Sequence, residues 1–155
     1  MDHDLVLQIL AALAAEHVDY VVVGGVALNL NGLPRATADI DLFVSPDADN
    51  IRRLKAALDS VFHDPEIEQI SADDLAGAYP AVQYVPPTGE FHVDILARLG
   101  EMFRYEEIEA EERMVEGVRV RLATPRMLYR MKKDTVRLRD RADAERLRQR
   151  FGLED

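Results

Sequence analysis

The order of apolar and polar residues predicts helices and strands that alternate along the first part of the chain. Apolar residues spaced three and four apart predict helices over residues 4–17 and 50–62. Short β-branched or alternating runs predict strands at Tyr20–Val23 and Asp39–Val44, with a short helix at Val26–Asn31 between them. The pattern therefore predicts an α/β protein, in which a mixed, partly antiparallel sheet is covered by helices.

The middle of the chain is less regular, but it carries signals for further elements. We predict a strand at Glu66–Ile70 and a short helix at Asp73–Ala78. Two more strands, Ala81–Val85 and Glu90–Leu96, are joined by a Pro-Pro-Thr-Gly sequence that is typical of a hairpin-like connection. In the second of these strands, Asp94 alternates with apolar residues, so it is expected on the face opposite to them.

The C-terminal third predicts a hairpin followed by two helices. The hairpin strands are Ile108–Val115 and Val118–Leu122, with a turn at Glu-Gly. The glutamates around Ile108 are equally compatible with a helix. A Thr-Pro pair, a strong N-terminal helix signal, starts a helix that runs to about Lys133. The last helix is predicted over Arg139–Phe151. We expect one domain, with a core over residues 1–123 and a helical segment over residues 124–155 packed on it.

Composition excludes several classes of protein. A chain of 155 residues with 48% hydrophobic and 31% charged residues is typical of a folded globular domain rather than a disordered one. The absence of cysteine excludes a disulfide framework and thiolate metal sites. The N-terminal apolar run is flanked by acidic residues, and no run is long enough to span a bilayer. These features predict a cytoplasmic protein without a membrane segment.

Charge is distributed unevenly along the chain. Residues 117–155 carry twelve Lys and Arg against six Asp and Glu, a net charge of +6, so the total of −10 leaves −16 on residues 1–116. This asymmetry suits a basic surface for nucleotide phosphates or RNA opposite an acidic half. The alternative is that the arginine-rich helices are simply solvated.

A candidate site is formed by the end of the first predicted strand and the start of the second. Asp39 and Asp41 are separated by Ile40, so both carboxylates project to one face of their strand. Two carboxylates held together repel each other, and a divalent cation relieves that repulsion by shared coordination. The preceding pair, Gly24 and Gly25, lets backbone approach a bulky anion at a helix start. Phosphate together with a metal ion is therefore the implied ligand.

This arrangement resembles the signature of nucleotidyltransferases of the DNA polymerase β superfamily. The stretch Arg35-x-Thr37-x-Asp39-Ile40-Asp41-Leu42 is similar to small bacterial nucleotidyltransferases of the abortive-infection and toxin–antitoxin type. The resemblance covers the first hundred residues well and the C-terminal third more loosely. It implies the transfer of a nucleoside monophosphate from an NTP to an acceptor hydroxyl, with release of pyrophosphate.

The same resemblance assigns roles to the candidate residues. It makes Asp39 and Asp41 the pair that bridges two Mg²⁺ ions, with Mn²⁺ as the alternative, and Asp94 the third carboxylate. All-oxygen sites of this kind select hard cations. Gly24 and Gly25 are expected to hold the nucleotide phosphates. Gly25 stands where the family often has serine, which removes one hydroxyl contact to phosphate.

Further residues are assigned less specifically by the resemblance. Arg35 and Thr37 precede the second strand, and they either contact phosphate or order the loop. Lys132 lies in a Pro-x-x-Leu-x-x-x-Lys segment and is the best candidate for a phosphate contact, the alternative being an exposed helix lysine. In the following segment Arg139 stands where a lysine is frequent, and the roles of Arg139 and Asp143 are open.

The acceptor and the partner of the reaction are left open by the sequence. A tRNA 3′ end, a hydroxyl of a partner protein and a small molecule such as an aminoglycoside all fit the implied reaction. The resemblance also implies a cognate toxin or antitoxin partner. The rival hypothesis is a non-catalytic binding module or antitoxin component that keeps the fold. All three candidate carboxylates are present, which favours an enzyme.

Overall fold

The strands form a six-stranded main sheet, which carries the candidate site, and a separate two-stranded hairpin. The computed structural model of the chain describes residues 3–34, 36–87, 89, 91–101, 103–133 and 138–154, with backbone alone at residues 138 and 139. These residues form eight strands: β1 (Tyr20–Val23), β2 (Asp39–Val44), β3 (Ala81–Tyr84), β4 (His92–Leu96), β5 (Arg98–Leu99), β6 (Phe103–Arg104), β7 (Ala110–Val115) and β8 (Val118–Ala123). The main sheet has the order β3-β4-β2-β1-β8-β7, and β5 pairs with β6 separately.

The main sheet is mixed. Strand β2 runs parallel to β4, and β1 runs parallel to β8. The pairs β1–β2, β3–β4 and β7–β8 are antiparallel. The predicted mixed, partly antiparallel sheet and both predicted hairpins are therefore confirmed.

Helices pack against this sheet and against each other. The described residues form six α-helices: α1 (His3–Ala15), α2 (Gly24–Leu30), α3 (Ala48–Phe62), α4 (Ala72–Ala76), α5 (Pro125–Lys132) and α6 (Leu138–Phe151). Helix α1 packs against α3 and β8, and α5 packs against α6. The side chains of Asp47 and Thr124 cap α3 and α5 by accepting from backbone N–H groups in their first turns. None of the helices in the described part of the chain is long and apolar enough to cross a membrane.

One predicted strand is wrong. The segment predicted as a strand at Glu66–Ile70 is a 3₁₀ helix over Pro65–Gln69. The Asp64 carboxylate accepts from the backbone N–H of Glu66 at 3.1 Å, and proline at the first position favours a helical turn. Ile67 and Ile70 are both buried. A spacing of three residues places both side chains on one side of a 3₁₀ helix, whereas it would place them on opposite faces of a strand.

Burial along β2 and β4 separates an apolar face from an acidic one. Ile40 and Leu42 on β2 are fully buried, and so are Val93 and Ile95 on β4. The aspartates that alternate with them are only partly buried. The apolar residues thus anchor both strands in the core, which fixes the direction in which the aspartates project.

Candidate active site

Strand pairing brings the three predicted aspartates together. Asp41 on β2 lies directly opposite Asp94 on β4, and Asp39 lies opposite His92. Each aspartate offers a carboxylate oxygen, and the three oxygens lie within 4.8 Å of one another. The alternation within each strand was readable from the sequence, whereas the register that unites the strands is set by the fold.

The electrostatics of this cluster suit a divalent cation. Burial, the hydrogen bond with Asp94 and the charges of Asp39 and Asp94 raise the pKa of Asp41 to about 8. Burial and the charge of Asp94 also raise the pKa of Asp39. The carboxylates therefore resist simultaneous ionisation unless a cation lies between them. Three clustered oxygen donors of this type fit Mg²⁺ or Mn²⁺.

The glycine pair stands at the junction of β1 and α2. Gly24 has φ +70°, and a Cβ placed on it would lie 1.8 Å from Oδ2 of Asp41. Position 24 therefore has no room for a side chain while Asp41 keeps its position. Gly25 is buried in the first turn of α2. Gly24 thus lies next to the carboxylate cluster, and Gly25 follows it in the chain.

Thr37 contacts the first aspartate of the cluster. Its hydroxyl shares one proton between two acceptors, the backbone oxygen of Asp39 at 2.9 Å and Oδ1 of Asp39 at 3.2 Å. These contacts order the loop that precedes β2, which is one of the two roles predicted for Thr37. A contact of Thr37 with phosphate stays a prediction. Arg35, the other residue predicted to precede this strand, lies outside the described residues.

Lys132 occupies a largely buried position between α5 and α6. Its Nζ lies 3.1 Å from Oδ1 of Asp140 and 3.5 Å from Oδ2 of Asp143, and its side chain is 12% exposed. The alternative of an exposed helix lysine is therefore wrong. The Lys132 charge also lowers the pKa of Asp41, which places this cation within electrostatic reach of the cluster. Asp143, whose role was open, pairs with Lys132, and the side chain of Arg139 lies outside the described residues.

Sequence reasoning missed Gln83. This residue lies on β3 opposite Asp94, and its Nε2 donates to Oδ1 of Asp94 at 3.0 Å. A single glutamine in a short strand carries no motif. The register of the β3–β4 hairpin would identify Gln83 as the partner of Asp94. That register cannot be read from the sequence, because the connection between the two strands is irregular.

A protein-family model identifies the family to which the chain belongs. A family model described as "Nucleotidyl transferase AbiEii toxin, Type IV TA system" matches residues 6–151. This chain belongs to the AbiEii nucleotidyltransferase toxin family. The resemblance inferred from the glycine pair and the Asp-x-Asp motif is thereby confirmed. No curated protein matches this AbiEii-family chain.

Solved structures share the fold of this AbiEii-family chain. ANT(2″)-Ia, solved in complex with adenylyl-2″-tobramycin, is 16% identical with a TM-score of 0.58, covering 96% of this chain and 88% of that one. A putative nucleotidyltransferase from Thermotoga maritima is 15% identical with a TM-score of 0.54, covering 96% of this chain and 91% of that one. At such identities the likeness supports the fold, which is that of nucleotidyltransferases.

Proposed function

We propose that the chain is a divalent-metal-dependent nucleotidyltransferase that moves a nucleoside monophosphate from an NTP to an acceptor hydroxyl. The observation that carries this proposal is the cluster of Asp39, Asp41 and Asp94 beside Gly24, in a member of a nucleotidyltransferase family. Phosphoryl transfer depends on alignment and charge neutralisation more than on a protein nucleophile. A carboxylate cluster next to a glycine-rich turn supplies the groups that such a reaction needs.

The nucleotide is assigned to the β1 side of the cluster. Gly24 and Gly25 bring backbone close to the triphosphate, and Lys132 is a cation within electrostatic reach of Asp41. Asp39 and Asp41 would hold Mg²⁺ or Mn²⁺, and a bound ion would neutralise phosphate charge and lower the pKa of the attacking hydroxyl. Two ions are expected, as in the superfamily that the sequence resembles.

Asp94 is assigned to the acceptor side, because β4 lies on the far side of β2 from β1. In the proposed reaction, the acceptor oxygen forms a bond to the α-phosphorus, and the bond from that phosphorus to the bridging oxygen of pyrophosphate breaks. The hydroxyl proton leaves towards the Asp94 carboxylate, and pyrophosphate takes the electron pair of the broken bond. Atoms and charge balance without any further reactant.

The acceptor is a tRNA end, a hydroxyl of a partner protein or a small molecule. The adenylylated aminoglycoside bound to ANT(2″)-Ia is an example of the third class in a protein of the same fold. Because the family belongs to a toxin–antitoxin system, we include a cognate antitoxin among the partners. A reaction that consumes NTP also implies a cytoplasmic location.

The rival hypothesis, a non-catalytic module or antitoxin component, has less support. The family is described as the toxin of its system, and a binding module has no need of a complete carboxylate cluster. Asp39, Asp41 and Asp94 are all present, and their oxygens lie close together.

The proposal is tested by incubating the protein with each α-labelled NTP, Mg²⁺ and a cell extract. We expect label on one class of macromolecule or metabolite, and we expect the γ-labelled nucleotide to leave that product unlabelled. Asp39→Asn combined with Asp41→Asn should abolish labelling. If the folded parent protein labels nothing with any NTP, the binding-module hypothesis replaces this one.

A further inference from the structure

Gln83 contacts the third carboxylate from outside the β2–β4 pair. Strand β3 is the edge strand of the main sheet, and Gln83 on it is the register partner of Asp94. Directly opposed residues of an antiparallel pair share one face of the sheet. The amide nitrogen of Gln83 lies 3.0 Å from Oδ1 of Asp94. A carboxylate only accepts hydrogen bonds, so the donating end of the amide is the end that faces it.

We propose that Gln83 is a positioning residue, which holds the Asp94 carboxylate in the orientation that cation binding requires. The proposal rests on the proposed function, because it concerns the same metal site. Carboxylates that bind metals are usually oriented by hydrogen bonds from neighbouring residues. Gln83 is exposed, so its contact with Asp94 is not imposed by packing in the core.

The carboxylates of Asp39 and Asp94 each accept a hydrogen bond from a neutral side chain. Thr37 donates a hydroxyl hydrogen bond to Oδ1 of Asp39, as Gln83 donates an amide hydrogen bond to Oδ1 of Asp94. Hydroxyl and amide donors are neutral, so they fix a carboxylate without cancelling the charge that attracts a cation. A lysine or arginine in either place would compete with the ion.

The location of Gln83 also separates it from the nucleotide side. Gly24 follows β1, whereas Gln83 lies on β3, and β2 and β4 stand between these strands in the sheet. Gln83 also lines a cavity of about 440 Å³ together with Asp74 and Tyr79. Gln83 therefore acts on the acceptor side of the cluster, through Asp94.

The test is the binding of Mn²⁺ alone to the nucleotide-free protein, measured by calorimetry. Gln83→Met keeps the length of the side chain and removes the donor. Loss of an orienting partner typically lowers metal affinity by about 10-fold to 100-fold, and we expect about 10-fold here. Circular dichroism and thermal unfolding of the variant should match those of the parent.

Ala81→Met is the matched control. Ala81 is exposed on β3, two residues before Gln83 and on the same face, but its register partner is Leu96. The control introduces the same thioether without touching the contact to Asp94. We expect its Mn²⁺ affinity to stay within about twofold of the parent, as for a surface substitution away from the contact.

A double-mutant cycle separates positioning from a general effect on the protein. In the Asp94→Asn background, Gln83→Met should change Mn²⁺ affinity by less than about twofold, because the two residues act as one unit. Equal affinity in Gln83→Met and the parent would overturn the inference, and so would an undiminished effect in the Asp94→Asn background. Mn²⁺ binding that does not depend on Asp94 at all would overturn it too. A parent that binds Mn²⁺ through Asp94 but transfers no nucleotide contradicts the proposed function alone, and the cycle still decides the role of Gln83.

Discussion

Oδ2 of Asp41 occupies the space in which a side chain on residue 24 would begin, 1.8 Å from the position of a Cβ on Gly24. The two residues are brought together by the antiparallel pairing of β1 and β2, in which Val23 is the register partner of Asp41. Glycine at position 24 therefore leaves free the space that the Asp41 carboxylate occupies. In the proposed function, this close approach of backbone to Asp41 lets a nucleotide and a cation share one corner of the sheet.

Gly24→Ala should displace the Asp41 carboxylate. The added methyl group meets Asp41, and the positive φ of residue 24 adds about 1–2 kcal/mol of backbone strain. We expect Mn²⁺ binding by calorimetry to be lost and the free energy of unfolding in urea to fall. Gly117→Ala is the control, since Gly117 has φ +83° with nothing within 4 Å of a Cβ. Equal Mn²⁺ affinity in Gly24→Ala and Gly117→Ala would contradict the role of this contact.

The stability of the metal-free protein should depend on pH through Asp41. Its pKa is raised from 3.8 to about 8, so between these values the native state holds a proton that the unfolded state releases. The free energy of unfolding should therefore fall as the pH rises through this window, by an amount on the order of a few kcal/mol. Urea unfolding in the presence of a chelator, from pH 5 to about pH 8, measures this.

Asp41→Asn tests the origin of that pH dependence. The amide does not ionise, so the variant should lose most of the slope and should be more stable than the parent at the upper end of the window. Added Mn²⁺ should stabilise the parent there and have less effect on the variant, because a ligand that binds only the native state stabilises it. An unchanged slope in Asp41→Asn would place the titrating group elsewhere.

The faces on which the aspartates lie were predictable, because alternation within a strand is a local property. The pairing of Asp41 with Asp94 was not predictable in this way, because it depends on the register between β2 and β4. Ile40 between Asp39 and Asp41 already assigns both carboxylates to one side. The contacts of Lys132 and Gln83 were not predictable, since they depend on how separate helices and strands pack. The strands β5 and β6 were not predictable for a different reason. Each has two residues, which is too short to show a periodic pattern.

The error at Pro65–Gln69 has a different cause. Glu66, Ile67 and Glu68 alternate as a strand would, and that local pattern favoured a strand. The preceding Asp64 and Pro65 form a helix start, which was the stronger signal. Capping residues outweighed a period read over only five positions.

Lys132→Met should reduce both stability and nucleotide binding. It leaves the buried carboxylates of Asp140 and Asp143 without the Lys132 charge, and removing one partner of a buried ion pair costs about 3 kcal/mol or more. Adding Asp140→Asn and Asp143→Asn should recover stability but not Mg·NTP binding. Urea unfolding and calorimetry measure the two effects. The control is Lys133→Met, and a Lys132→Met variant that behaves like it would contradict this account.

A nucleic-acid acceptor should show itself by salt dependence. Arg141, Arg146 and Arg150 are exposed on α6, in the basic part of the chain. Each phosphate that such residues neutralise releases counterions, so the affinity for tRNA should fall steeply between low and physiological salt. Filter binding of total tRNA over a salt series measures this. Binding that ignores salt, or no binding, would favour a protein or small-molecule acceptor.

Calorimetry of Mg·NTP binding tests most directly whether Asp39, Asp41 and Asp94 form one site with divided roles. Asp39→Asn combined with Asp41→Asn should abolish binding, because this pair is assigned to the cation that accompanies the triphosphate. Asp94→Asn should bind Mg·NTP within about 1 kcal/mol of the parent while its turnover falls about 100-fold or more, the scale on which positioned acid–base groups act. A double variant of Asp39 and Asp41 that binds Mg·NTP as tightly as the parent would contradict the account.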